Sequence, residues 1–327
     1  MLIALLQLAA GFILLVWAAD RLVAGASAFA RNMGISPLIV GLTIVGFGTS
    51  APEMVVSATA SLQGNPSLAI GNAIGSNIHN VALILGLTAI IYPLRIESAT
   101  LRREFPVLGL VMLVALALMW NLDLSRIDGA ILAGCLMLVT AGMVVLGLKK
   151  GRRDPMARSL AAEIPEGMPN RHALAWMAVG LALLPLSSHI LVTGAVSIAG
   201  LLGVSEAVIG LTIVAMGTSL PELAAALVSA IKREDDLAIG NIIGSNMFNL
   251  LGVLGIAALV HPMTIEPMLL WRDVSVMFLT TGLLFIFALY RGNITRLTGG
   301  ILFGVFACYM GLVIYQELIG RSGISGA

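Results

Sequence analysis

Residues 41–86 read GLTIVGFGTSAPEMVVSATASLQGNPSLAIGNAIGSNIHNVALILG, and residues 210–255 read GLTIVAMGTSLPELAAALVSAIKREDDLAIGNIIGSNMFNLLGVLG. The two stretches align without a gap at a constant offset of 169, and 22 of the 46 positions are identical. Shared apolar composition would match Leu with Leu. It would not bring Gly-Thr-Ser-x-Pro-Glu and Gly-Asn-x-Ile-Gly-Ser-Asn-x-x-Asn into register twice. The chain carries an internal duplication, and function is to be sought where the copies agree.

Around these cores, 59% of the 327 residues are hydrophobic and 11% charged, against about a quarter charged in a soluble domain. A membrane span needs about 20 mostly apolar residues. Ten segments qualify, at approximately 2–19, 37–62, 67–92, 105–121, 128–148, 172–199, 206–231, 237–260, 273–290 and 297–316. The longest connector, 149–171, is charged, carries three prolines and lacks apolar periodicity, so it reads as a surface linker. It separates a first half, 1–148, from a second, 172–327. Five spans is an odd number, so the second half enters the membrane from the side opposite to the first. The expected fold is an all-α polytopic membrane protein of ten transmembrane helices in two inverted five-helix repeats, with broken helices at the midplane. Inverted repeats with interrupted helices are a recurring plan of secondary transporters, with the site at the repeat interface.

Lys and Arg in short loops favour the cytoplasmic side. With the central linker cytoplasmic, 15 of the 18 basic residues fall on that side, and only Arg126, Arg272 and Arg321 on the other. Both termini are then expected outside, in the inner (plasma) membrane. The apolar start, Met1 to Ala19, lacks a basic n-region and a small-residue cleavage site, and reads as a retained first span. A formal net charge of +1 leaves no basic surface for a nucleic acid. Cys135 and Cys308 sit in apolar runs without zinc-ligand spacing and read as packing residues.

Glu53 and Glu222 fall near the middle of their spans, where an ionised side chain costs roughly 2.5–3.5 kcal/mol. No Lys or Arg occurs between residues 32 and 94 or between 172 and 231, so the compensating charge points to a bound cation. Thr49 and Ser50 precede Glu53 by four and three residues, on the same helical face, and Thr218 and Ser219 stand likewise before Glu222. Pro52 and Pro221 donate no backbone hydrogen bond, which frees the carbonyls of Gly48 and Gly217, and those glycines let the helix unwind. The second motif adds Asn72, Ser76, Asn77 and Asn80, with Asn241, Ser245, Asn246 and Asn249 in the copy. Gly71 and Gly75, like Gly240 and Gly244, form a small-xxx-small face for close helix approach. Carboxylate, hydroxyl, amide and carbonyl oxygens suit hard cations such as Ca²⁺ or Na⁺. Two glutamates carry −2, which one Ca²⁺ or two monovalent ions neutralise, a natural basis for mutually exclusive binding and antiport.

The paired GTSxPE and GNxxGSNxxN blocks resemble the two alpha repeats of the cation/calcium exchanger superfamily, closest to its prokaryotic sodium/calcium antiporter branch. The resemblance implies alternating access in which a sodium gradient drives calcium export. It also implies Glu53 and Glu222 as central metal ligands, with Thr49, Ser50, Ser76, Asn80, Thr218, Ser219 and Ser245 around them, joined by backbone carbonyls near Gly46 and Ala215. Asn249 completes the candidate set and is a departure: family members that carry three sodium ions per calcium commonly have Asp there. Calcium/proton exchange would use the same two glutamates. Asp20 aligns with His189 at the same offset, and His79 with Phe248, both breaking the symmetry. The implied substrates are Ca²⁺ and Na⁺, with the bilayer as surroundings, no cofactor and no obligatory protein partner. A channel is disfavoured because the duplication is inverted within one chain. An enzyme is disfavoured because Ser50 and Ser219 have no base beside them in the repeat to activate a nucleophile.

Overall fold

The computed structural model describes residues 1–33, 46–95, 101–150, 167–231, 233 and 235–324. Within them run α1 (Leu2–Asn32), α2 (Gly46–Thr49), α3 (Ala51–Leu62), α4 (Pro66–Ile91), α5 (Leu101–Met119) and α6 (Arg126–Lys150). The second half supplies α7 (Asn170–Leu202), α8 (Glu206–Thr218), α9 (Leu220–Ile231), α10 (Asp235–Val260), α11 (a π-helical turn Leu269–Val274 leading into Ser275–Arg291) and α12 (Arg296–Ile324). Four two-residue strands lie between helices: β1 (Leu94–Arg95), β2 (Asp123–Leu124), β3 (Met263–Thr264) and β4 (Asn293–Ile294).

Every one of the ten expected spans meets a helix. Six helices are by themselves long and apolar enough to cross a bilayer, and α8 with α9, bent by 43° at their junction, makes a seventh. The remaining three are α5, α6 and the pair α2 and α3, whose span begins within 34–45, outside the described residues. The helices carry their apolar surface outward: Leu110, Leu138, Leu181, Ile286 and Ile314 are all exposed, a belt suited to contact with lipid. The four tryptophans join the halves in two edge-to-face pairs, Trp17 with Trp176 and Trp120 with Trp271.

The inversion is legible in the packing. The α1 and α7 helices run antiparallel, Gly11 against Leu191 and Gly25 against Ala173 and Met177. Gly11 and Gly180 are 169 apart, as are Gly25 and Gly194, and each faces the other long helix. The strands obey the same two-fold: β1 pairs with β4, Leu94 opposite Ile294, and β2 with β3, Leu124 opposite Met263. Beside them, Gly86 abuts Gly299 and Gly129 abuts Gly255. A Cβ on Gly194 would stand 2.8 Å from Leu8 N and 2.9 Å from Ala4 O, so the approach requires glycine. Gly194→Val should lower stability by about 1–3 kcal/mol, read as earlier aggregation on heating in detergent. Gly200→Val on the same helix, with nothing within 4 Å, should leave it nearly unchanged.

The two helices carrying the Gly-Asn-x-Ile-Gly-Ser-Asn-x-x-Asn blocks, α4 and α10, lie at the centre, largely buried, while α1 and α12 lie at the periphery. The expected small-residue face holds in the first copy. A Cβ on Gly71 would meet Ala207 O at 2.5 Å, and one on Gly75 would meet Leu211 O at 2.7 Å, so α4 presses on the α8 backbone. Gly244 has nothing within 4 Å among the described residues.

Candidate functional site

Both broken helices break at the same residue of the repeat. Ser50, between α2 and α3, has φ −89° and ψ 2°. Ser219, between α8 and α9, has φ −84° and ψ 9°. This sparsely populated bridge conformation is frequent at functional sites. Pro52 and Pro221 follow two residues later and cannot donate to the carbonyls of Gly48 and Gly217, which is why the helices are interrupted here. The glycines themselves stay helical, in α2 and α8. Their small size is used against α1, Gly48 on Val23 and Gly217 on the Phe12 ring, rather than for unwinding.

Glu53 and Glu222, in the first turns of α3 and α9, are both fully buried. The serine preceding each of them at the helix break reaches the other glutamate, which brings the two carboxylates into one site. Each is bonded by a hydroxyl from the other copy: Ser219 Oγ donates to Glu53 Oε1 at 3.1 Å, and Ser50 Oγ to Glu222 Oε1 at 3.5 Å. Among the described residues, the second oxygens, Glu53 Oε2 and Glu222 Oε2, are buried without a hydrogen-bond partner. The same holds for Ser76 Oγ, Asn80 Oδ1 and both polar atoms of the Asn249 side chain. Among the described residues, no Lys or Arg pairs with either glutamate; Arg21 pairs with Asp20 and Arg272 with Asp273.

The threonines are tied across the pseudo-two-fold. Thr218 Oγ1 donates to Asn72 Oδ1 at 3.1 Å, and Thr49 Oγ1 to Asn241 Oδ1 at 3.4 Å, with Ser245 Oγ 3.3 Å from Thr49 Oγ1. A hydroxyl has one proton and two lone pairs, so donating the proton to a neighbour leaves its oxygen able to face a cation. Asn72 is a holder: its Nδ2 lies 3.0 Å from Ser57 Oγ and 3.3 Å from the Glu53 carbonyl. Asn80 donates to Asn246 Oδ1 at 3.0 Å, and Asn246 to the Asn77 carbonyl at 3.5 Å. Gly46 opens α2. The Ala215 carbonyl already accepts from Ser219 N at 3.1 Å and lies 3.3 Å from Thr218 Oγ1. His79 lies in the core, its Nδ1 2.7 Å from the Gly75 carbonyl and its ring against Phe306.

Sequence reading missed three supports. Ser57 anchors Asn72, as above. Ser188 of α7 donates to Val55 O at 3.1 Å and lies 2.8 Å from Thr59 Oγ1, fastening α7 to α3. Finally, α4 and α10 each widen into a π-helical stretch directly at the site, His79–Leu85 and Asn249–Val253, a feature that recurs at functional sites and has no composition signature.

The Asn72 amide holds three groups at once, so Asn72→Ala should free Thr218 and loosen the first turn of α3. We expect about tenfold weaker cation binding with the fold retained, measured as the cation concentration that protects the protein from thermal unfolding.

The family model for sodium/calcium exchanger proteins matches the chain twice, over residues 3–146 and 172–315. The chain belongs to the sodium/calcium exchanger family. Each match covers one half, so the exchanger's duplication extends beyond the 46-residue cores to all five helices of a half. CaxA of Alkalimonas amylolytica is 47% identical over 316 residues, covering 96% of this chain and 99% of that protein. Sodium/calcium exchanger MaX1 of Methanosarcina acetivorans is 30% identical, covering 93% and 97%. Among solved structures, the sodium-calcium exchanger NCX_Mj soaked with Na⁺ and Sr²⁺ superposes with a TM-score of 0.65 at 32% identity, covering 95% of this exchanger and 98% of that chain. The protein is a multi-pass membrane transporter of the antiporter class.

Proposed function

We propose that this exchanger moves Ca²⁺ against Na⁺ by alternating access, in the direction that exports calcium. One observation carries the reading: two fully buried carboxylates, each steadied by a serine of the opposite copy and each left, among the described residues, with an unpartnered oxygen. Glu53 and Glu222 are the central ligands. Thr49, Ser50, Ser76, Asn80, Thr218, Ser219, Ser245 and Asn249 supply neutral oxygens, and the carbonyls of Gly46 and Ala215 complete the shell. For Ala215 this requires the Thr218 proton to rest on Asn72. Because the two carboxylates bring −2, Ca²⁺ and Na⁺ compete for one charge deficit, and competition at a site opened alternately to each side is exchange.

The distribution of basic residues supports an inner-membrane protein with linker 149–171 cytoplasmic and both termini outside. The test is tracer Ca²⁺ uptake into Na⁺-loaded proteoliposomes diluted into Na⁺-free medium, with the proton gradient clamped. Uptake that requires the Na⁺ gradient is the expected result. Uptake indifferent to Na⁺ and restored by a pH gradient would make the protein a H⁺/Ca²⁺ antiporter instead. The same vesicles under an imposed potential count the ions: three Na⁺ per Ca²⁺ couples about 2.3 kcal/mol per 100 mV to each cycle, and two couples none.

A further inference from the structure

The symmetry of the site is broken in one of the grooves that lead to it. A cavity of about 900 Å³ runs along α1, walled opposite by Leu220, Pro221 and Ala224 of α9. One part of it reaches Thr49, whose hydroxyl lies 3.3 Å from Ser245 Oγ in the candidate site. Asp20 lines the same cavity, with its side chain 66% exposed. Asn32, at the far end of α1, bonds the Met168 carbonyl and the Asn170 side chain, at the junction of the linker with α7. At about 1.5 Å per residue, Asp20 stands about 18 Å along the helix from that end, at the linker-side end of the expected first span, 2–19.

Arg21 pairs with this charge only at long range. Its guanidinium lies over the rings of Trp17 and Trp176, at 5.6 and 4.9 Å, and only Nε approaches Asp20 Oδ2, at 3.7 Å. At the equivalent place on α7 the chain carries His189, whose Nδ1 is 2.8 Å from Gln63 Nε2 at the end of α3. The cavity therefore carries a carboxylate where the symmetry-related position on α7 carries an imidazole. Among the described residues, Asp20 is the one charged residue lining this cavity, and a fixed negative charge in a cleft with apolar walls raises the local concentration of cations.

We propose that Asp20 is a one-sided staging site, gathering hydrated divalent cations in the linker-side groove before they reach Glu53 and Glu222. The inference rests on the exchange reading above and adds that the two faces of the transporter differ in apparent affinity because of this residue. The experiment measures ⁴⁵Ca²⁺ transport in vesicles of both orientations, so that Ca²⁺ is presented to either face of full-length protein. Asp20→Asn should raise KM about fivefold for Ca²⁺ presented on the linker side. KM from the other side and the maximal rate should be unchanged, and Asp20→Glu should restore the native value. His189→Asp should lower KM from the opposite side, which keeps the test alive if Asp20→Asn fails to assemble. Equal KM values for wild type and variant from the linker side, or equal rises from both sides, would overturn the proposal. Wild-type vesicles that move no Ca²⁺ would instead overturn the exchange reading itself.

Discussion

Glu53→Gln should reduce Na⁺-driven Ca²⁺ uptake to background, and Glu222→Gln should do the same. Glutamine keeps the size of the side chain and an oxygen that Ser219 or Ser50 can still reach, so the packing around α3 and α9 is preserved. What changes is the charge: one carboxylate against a divalent ion leaves +1 uncompensated in a fully buried pocket. An uncompensated charge at membrane depth costs roughly 2.5–3.5 kcal/mol or more, which corresponds to Ca²⁺ binding weakened by about two orders of magnitude. Because the hydroxyl cross-bonds make the two glutamates near-equivalent, the two single variants should fail alike. Thermal melting in the absence of Ca²⁺ should stay at or above the wild-type value, since each variant removes a charge repelled by its twin. Retained calcium flux in a well-folded Glu53→Gln protein would sink the assignment.

The second large effect is expected outside the candidate site. Asp273 is fully buried and takes a two-pronged bond from Arg272, Nε to Oδ1 at 2.6 Å and Nη2 to Oδ2 at 3.0 Å. Tyr309 of α12 donates to the same Oδ1 at 2.8 Å, and Arg272 Nη1 reaches Gln316 at 2.7 Å. The cluster therefore clamps α11 to α12. Asp273→Ala leaves the largely buried Arg272 charge without its carboxylate and should destabilise the protein by about 3–5 kcal/mol. Tyr309→Phe, which removes one neutral donor, should cost about 1 kcal/mol. Replacing the pair together, Arg272→Met with Asp273→Leu, should recover most of the loss, because burying no charge is cheaper than burying half a pair. Melting temperatures in detergent across the four proteins check the order. An Asp273→Ala protein as stable as wild type would show that the clamp contributes nothing.

This cluster also shows what the sequence could and could not reveal. Arg272 and Asp273 align at the 169 offset with Arg103 and Glu104, so the duplication was visible there, but two charged residues beside an apolar span read equally well as an interfacial turn. The same limit hid Gly11 with Gly180 and Gly25 with Gly194: in a chain with 36 glycines, two coincidences carry no weight until backbone contacts give them meaning. The ten spans, their inversion and the central glutamates were legible because each rests on a property local to the chain: apolar length, parity of the span count, or charge without a partner. The division of labour among the asparagines was not. Asn72 spends its amide holding Ser57 and Thr218, whereas Asn249 has neither polar atom partnered among the described residues. Their motif positions do not distinguish a holder from an open ligand; only the partner helix does.

The short strands impose a condition on how such a protein is made. Each two-residue ladder takes one strand from either half, β1 with β4 and β2 with β3, so neither half can complete a ladder with its own chain. During synthesis the first five helices must wait in the bilayer with β1 and β2 unmatched until the second half emerges. β2 finds β3 first, and β1 is closed only once β4, just before the last helix, has been made. A gene split within linker 149–171 should therefore yield two fragments that are degraded when expressed singly and protect each other when expressed together. The ancestral single repeat, which had no second half to wait for, could have met this condition only as a dimer of opposed copies.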